Sequence, residues 1–125
     1  MKLGGLLHAT LLSADLARSR AFYETLLGLV PDDKRPDLGF PGIWYDLSGG
    51  QQLHLMRLPD PEQGLLRPAH GGRDRHLALA VDDLAELTQR LHSAGIACTV
   101  SQSGRRALFC RDPDGNALEL IEVSA

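Results

Sequence analysis

Two stretches of this chain repeat one another, and a tandem copy restricts the fold more than any other feature, because like sequences pack as like units. Residues 6–16 read Leu-Leu-His-Ala-Thr-Leu-Leu-Ser-Ala-Asp-Leu, and residues 75–84 read Arg-His-Leu-Ala-Leu-Ala-Val-Asp-Asp-Leu. In both, a histidine stands seven residues ahead of an Asp-Leu pair: His8 before Asp15, His76 before Asp83. The apolar runs are strand-like, and an Asp at their end suits the N-cap of a helix.

Helical spacing follows each Asp. After Asp15, the residues Leu16, Ser19, Phe22, Tyr23, Leu26 and Leu27 fall close to one stripe, and Gly28 ends the run. After Asp82 or Asp83 as cap, Leu84, Leu87 and Leu91 form the stripe, with Gly95 as left-handed terminator. Three short strands follow each helix. In the first half they are about Val30–Arg35, Ile43–Leu47 and Gln52–Leu58, the last two joined through Ser48-Gly49-Gly50. In the second half they are about Ala97–Gln102, Arg106–Arg111 and Ala117–Val123, the last entered through Asp112-Pro113-Asp114-Gly115-Asn116, a strong turn signal. Pro59 to Arg73, rich in Pro, Gly and charge, reads as a linker.

The order βαβββ, linker, βαβββ predicts a single α+β domain: module 1 about 1–58, linker about 59–73, module 2 about 74–125. The alternative is an unrelated α+β domain whose halves match by chance. A length of 125 residues is that of one domain, and 43% hydrophobic residues are enough for a core. The net charge of −3 excludes the basic surplus of a nucleic-acid binder, and no Lys/Arg cluster points to a membrane surface. Cys98 and Cys110 make no C-x-x-C pair and read as small buried strand residues. The first apolar run is too short for a signal peptide or a membrane span, so a cytoplasmic protein is expected.

The repeat places one metal-type side chain in the first and last strand of each half: His8 and His54, then His76 and Glu119. Strand alternation puts His8 on a face with Leu6, Thr10 and Leu12, His54 with Gln52 and Met56, His76 with Ala78 and Ala80, and Glu119 with Ala117 and Ile121. The opposite faces are also apolar, which predicts that the ligand faces lie inside a curved sheet. A buried carboxylate is costly unless paired or bound to a metal. Three imidazoles and one carboxylate on one cavity meet that need with a divalent cation. Taken singly, a strand histidine is more often a core or rim residue, and His70 and His92 are assigned there. Trp44, Tyr45 and Phe109 read as core packing ahead of aromatic contacts in the cavity, and Arg105 and Arg106 as solvated turn charges ahead of contacts to an anionic substrate.

The residues Leu6-Leu7-His8, Asp15-Leu16, Ser19, Phe22-Tyr23 and Leu27-Gly28-Leu29, with Phe109, Asp112-Pro113-Asp114-Gly115-Asn116 and Glu119, resemble the opening and ending of glyoxalase I and its relatives, the vicinal oxygen chelate superfamily. The resemblance covers nearly the whole chain. It implies tandem βαβββ modules forming a curled mixed sheet around a metal site, in a homodimer. It also implies ligands from the first and last strand of each module, which fall on His8, His54, His76 and Glu119. The chain departs from glyoxalase I in carrying His54 where a Glu is usual. It also has Leu12 where an Arg holds a glutathione carboxylate, which argues against a glutathione thioester.

A metal with these ligands suits Lewis-acid work on a small oxygenated or carbonyl substrate, with stabilisation of an enediolate. Zn, Ni, Fe, Mn and Co all remain open. Glu119 is the candidate proton carrier. Thr10, Leu12, Met56 and Ile121 are the candidate substrate contacts. The reading is therefore a metal-dependent lyase, isomerase or transferase. Two other classes stay open: a non-catalytic small-molecule binding or resistance protein, and a ring-cleaving dioxygenase, which needs more open metal positions than four ligands leave.

Overall fold

The computed structural model describes residues 1–124. The chain divides into two compact units, Met1–Gln63 and Gly64–Ala125. Each is built from one four-stranded mixed sheet and one helix.

In the first unit, β1 (His8–Leu12) leads into α1 (Leu16–Arg20), followed by β2 (Val30–Pro31), β3 (Gly42–Asp46) and β4 (Gln52–Met56). The sheet order is β1-β4-β3-β2, with β1 parallel to β4 and the other pairs antiparallel. Asp15 caps α1 as expected, its carboxylate accepting from Arg18 N–H at 3.2 Å. Beyond Arg20 the helix widens into π-type turns over Ala21–Leu26, and Leu27 N–H donates to Phe22 O. The wider turn brings two adjacent aromatics, Phe22 and Tyr23, inward together. They pack with Ile43, Tyr45, Leu53 and Leu55 of the sheet, all buried, and the Tyr23 and Tyr45 rings lie 5.8 Å apart.

The second unit repeats the plan. It contains β5 (His76–Val81), α2 (Leu84–Ser93), β6 (Thr99–Val100), β7 (Ala107–Arg111) and β8 (Ala117–Glu122), in the order β5-β8-β7-β6. Asp83 caps α2 through Glu86 N–H at 2.9 Å. Gly95, at φ +72°, ends it, and Ile96 N–H reaches back to Leu91 O, as a left-handed terminator does. Leu87 and Leu91 are the buried stripe, against Leu108, Cys110, Leu118 and Leu120. No described helix is long and apolar enough to cross a membrane.

Several expectations need correction. The strand predicted over Val30–Arg35 is only Val30–Pro31, because Pro31 has no N–H and Asp32 turns the chain by accepting from Lys34 N–H. Likewise Ala97–Gln102 shortens to Thr99–Val100. Cys98 is exposed, lying just before β6, whereas Cys110 is buried, and burial pushes its thiol up to about 12.

Candidate metal centre

One face of each sheet packs on its helix; the other carries the predicted ligands. In the first unit the ladder sets Thr10 and Trp44 on either side of His54, with His8 beside Gln52. Directly opposed residues point to the same side. The rings therefore stack: Trp44 on His54 at 4.4 Å and 7°, and His54 on His8 at 4.1 Å and 15°. His54 is buried on a central strand, while His8 and Thr10 are exposed on the edge strand β1. Leu12 and Met56, opposed in the ladder, are half-buried. The expectation that every ligand face lies inside a curved sheet is thus met only by the central-strand residues. The edge strands β1 and β5 have one neighbour each and leave His8, Thr10 and His76 exposed.

His54 does not sit by stacking alone. Its Nε2 lies 2.8 Å from Gln52 Oε1, and Gln52 Nε2 donates to Asp32 Oδ2 at 3.0 Å and to Asp46 Oδ1 at 2.9 Å. Burial, then the neighbouring His8 and Arg35, hold the His54 imidazole below its ordinary range and favour the neutral ring.

In the second unit, the turn before β8 is built by Asp112, whose Oδ1 accepts from Asp114 N–H and Asn116 N–H, both at 2.9 Å. It delivers Glu119 into the sheet opposite Phe109. Glu119 is buried, and its Oε1 lies 3.5 Å from His76 Nε2 on the exposed edge strand β5. His76 Nδ1 donates to the Asp74 carbonyl at 2.9 Å, which leaves Nε2 facing the carboxylate. Asp74 is itself held by Arg111 at 2.9 Å and Arg67 at 3.2 Å. The Arg111 hydrogen bond keeps the Asp74 carboxyl below the usual range. Ile121, the remaining predicted contact, is half-buried on β8.

The four predicted ligands thus fall into two pairs, His8 with His54 and His76 with Glu119. Among the described residues, no three His, Cys, Asp or Glu side chains gather closely enough to hold a metal ion. The chemistry of the second pair nonetheless fits one. A neutral imidazole would turn its Nε2 lone pair toward a carboxylate oxygen, an arrangement that a proton or a cation relieves. Two donor atoms bound to one ion at about 2.1 Å, at angles of 90–110°, stand roughly 3.0–3.4 Å apart, close to the 3.5 Å found.

Residues 5–120 match the family model described as the glyoxalase/bleomycin resistance protein/dioxygenase superfamily. The chain belongs to that superfamily. Among superfamily relatives it is similar to YwkD of Bacillus subtilis, with 34% identity covering 98% of this chain and 99% of that protein. It also resembles the lactoylglutathione lyase of Salmonella typhimurium, with 30% identity covering 94% of this chain and 92% of the enzyme. In fold it matches TnmS3, an antibiotic binding protein from Streptomyces sp. CB03234, at a TM-score of 0.73 and 22% identity over 99% of both chains.

Several residues flank the predicted ligands. Phe109 is buried as expected and meets the His76 ring edge-on at 5.2 Å, and the half-buried Trp44 stacks on His54. His70, read as a core or rim residue, is half-buried and lies 5.0 Å from Phe109. Gln52 and Asp74 each stand two residues before a predicted ligand, and that spacing was the available signal for Gln52, since it places a polar side chain on the ligand's own strand face.

Proposed function

We propose that the protein is a metal-dependent enzyme of the glyoxalase type, with His8, His54, His76 and Glu119 as ligands to one divalent ion. The observation that carries this reading is the His76–Glu119 pair. A buried carboxylate faces an imidazole nitrogen at 3.5 Å, and the other ring nitrogen is committed to a backbone carbonyl. A second hydrogen bond of that kind is what orients metal-binding histidines and raises their basicity.

Bound there, a divalent ion supplies Lewis-acid polarisation of a substrate oxygen. The chain does the rest. The Glu119 carboxylate accepts the proton from the hydroxyl-bearing carbon beside the substrate carbonyl and delivers it to the carbonyl carbon, while the hydroxyl proton passes to the former carbonyl oxygen, a net isomerisation. Asp74, clamped by Arg67 and Arg111, keeps the His76 ring from rotating. Thr10 orients a substrate oxygen, while Leu12, Met56 and Ile121 exclude water from the reacting carbons. Leu12 offers no charge to a glutathione carboxylate, which favours a small oxygenated or carbonyl substrate. A homodimer in the cytoplasm belongs to the same reading.

The test is elemental analysis of the purified protein beside His8→Ala and His54→Ala. About one metal per chain, lost in His8→Ala and weakened in His54→Ala, is expected. No metal after incubation with Zn, Ni, Mn or Fe(II) would sink the reading. That result would favour a second one, a small-molecule binding protein, which the Trp44–His54–His8 ring stack supports as a platform for planar ligands.

A further inference from the structure

The polar network behind His54 carries an inference that rests on the metal reading and deepens it. Gln52 bonds in three directions from the start of β4: its Nε2 to Asp32 Oδ2 at 3.0 Å and Asp46 Oδ1 at 2.9 Å, its Oε1 to His54 Nε2 at 2.8 Å. An amide can be turned end for end, but here only one orientation is chemically sound. Carboxylates accept and do not donate, so the NH₂ must face Asp32 and Asp46. The amide oxygen is then obliged to face His54.

Asp32 is itself fixed. Its Oδ1 accepts from Lys34 N–H at 2.9 Å, and its own N–H donates to Trp44 O at 2.7 Å. The Lys34 N–H bond, then the Gln52 amide, hold its carboxyl below the usual range, so it stays an acceptor. An acceptor opposite His54 Nε2 requires a hydrogen on that nitrogen. In a neutral ring the other nitrogen then holds the lone pair. The ring has little freedom to escape, since it is buried and stacked between Trp44 and His8.

We propose that Gln52, held by Asp32 and Asp46, is a positioning residue that locks His54 in the Nε2–H tautomer, so that His54 offers Nδ1 to a metal. The two histidines with assigned second bonds then bind in opposite senses: His76 commits Nδ1 to the Asp74 carbonyl and presents Nε2, whereas His54 commits Nε2 and presents Nδ1.

The test is nitrogen NMR of the histidine rings in the full-length ¹⁵N-labelled protein, where protonated and lone-pair ring nitrogens resonate far apart. Without metal, in the neutral ring, His54 should show a protonated Nε2 and a lone-pair Nδ1. Gln52→Lys places a donor opposite Nε2 and should reverse the two signals. Asp32→Asn combined with Asp46→Asn leaves Gln52 in place but frees its amide to turn, and should give a mixture of tautomers. A protonated Nδ1 in the unaltered protein overturns the proposal, as does an unchanged tautomer in a folded Gln52→Lys protein. Zinc is then added. Movement of the His54 Nδ1 signal with Nε2 still protonated supports Nδ1 ligation, and loss of the Nε2 proton to zinc overturns it. If no histidine ring responds to zinc, nor to Ni(II), Mn(II), Fe(II) or Co(II) added in its place, the metal reading itself fails, while the metal-free spectra still decide the role of Gln52.

Discussion

At the residue scale, Glu119 separates holding a metal from moving a proton. It is buried with His76 as its partner, so Glu119→Gln keeps the shape and removes the charge. We expect the variant to lose turnover of any substrate found and to bind metal more weakly; full turnover with full metal would remove Glu119 from the mechanism. Glu122, three residues further along β8 and on its other face, has a different task. Its Oε1 meets Arg106 Nε at 2.6 Å and its Oε2 accepts from Leu84 N–H at 2.9 Å, at the start of α2. The Arg106 bond first, then the backbone bond, hold its carboxyl below the ordinary range. A carboxyl depressed in the folded state stabilises above its unfolded pKa, and the gain is lost as pH falls through the folded value. Urea unfolding should therefore find Glu122→Gln less stable than the parent at pH 7. The two should converge once the pH drops below the carboxylate range.

At the element scale, the sheets depend on close backbone approach and on a few large side chains. A Cβ at Gly42 would lie 2.5 Å from Leu55 O and 2.7 Å from Arg35 Nη2, so β3 can run beside β4 only with glycine there. Gly42→Ala is expected to lower stability by about 1–3 kcal/mol through overpacking, read as a lower urea midpoint. Leu91 is fully buried beneath its sheet, and Leu91→Ala should cost about 2–5 kcal/mol by leaving a cavity. The two helices were legible because Asp15, Asp83 and Gly95 cap them by local rules that need no tertiary partner. The π-type widening after Arg20 was not legible. It answers to the sheet that Phe22 and Tyr23 must meet, which the helix period alone does not contain. The extent of β2 and β6 was misread for a similar reason, since pairing with a neighbour sets where a short strand ends.

At the scale of the whole molecule, the proposed metal site draws on both units. Each unit brings one pair together, His8 with His54 and His76 with Glu119. We expect the proposed homodimer to share its ligands between copies of the chain. His8→Ala damages one pair and Glu119→Gln the other. When the two purified variants are mixed and allowed to exchange subunits, a site drawn from two chains regains one intact ligand set per mixed dimer. Metal content should then rise above that of either variant alone. No recovery, with exchange verified by mass, would assign all four ligands to one chain.

The repeat of histidine and Asp-Leu, the alternation of the strands and the capping residues determined the α+β class, the doubled plan and the four chemistry-bearing positions. These are short-range patterns, written in the spacing of side chains along the backbone. The superfamily match over residues 5–120 agrees with the fold class. Tertiary structure alone decided which of the four are buried, because burial depends on whether a strand is central, as β4 and β8 are, or an edge, as β1 and β5 are. It also decided which nitrogen each ring turns to its hydrogen-bond partner, since Gln52 and the Asp74 carbonyl act only once folded strands bring them to His54 and His76.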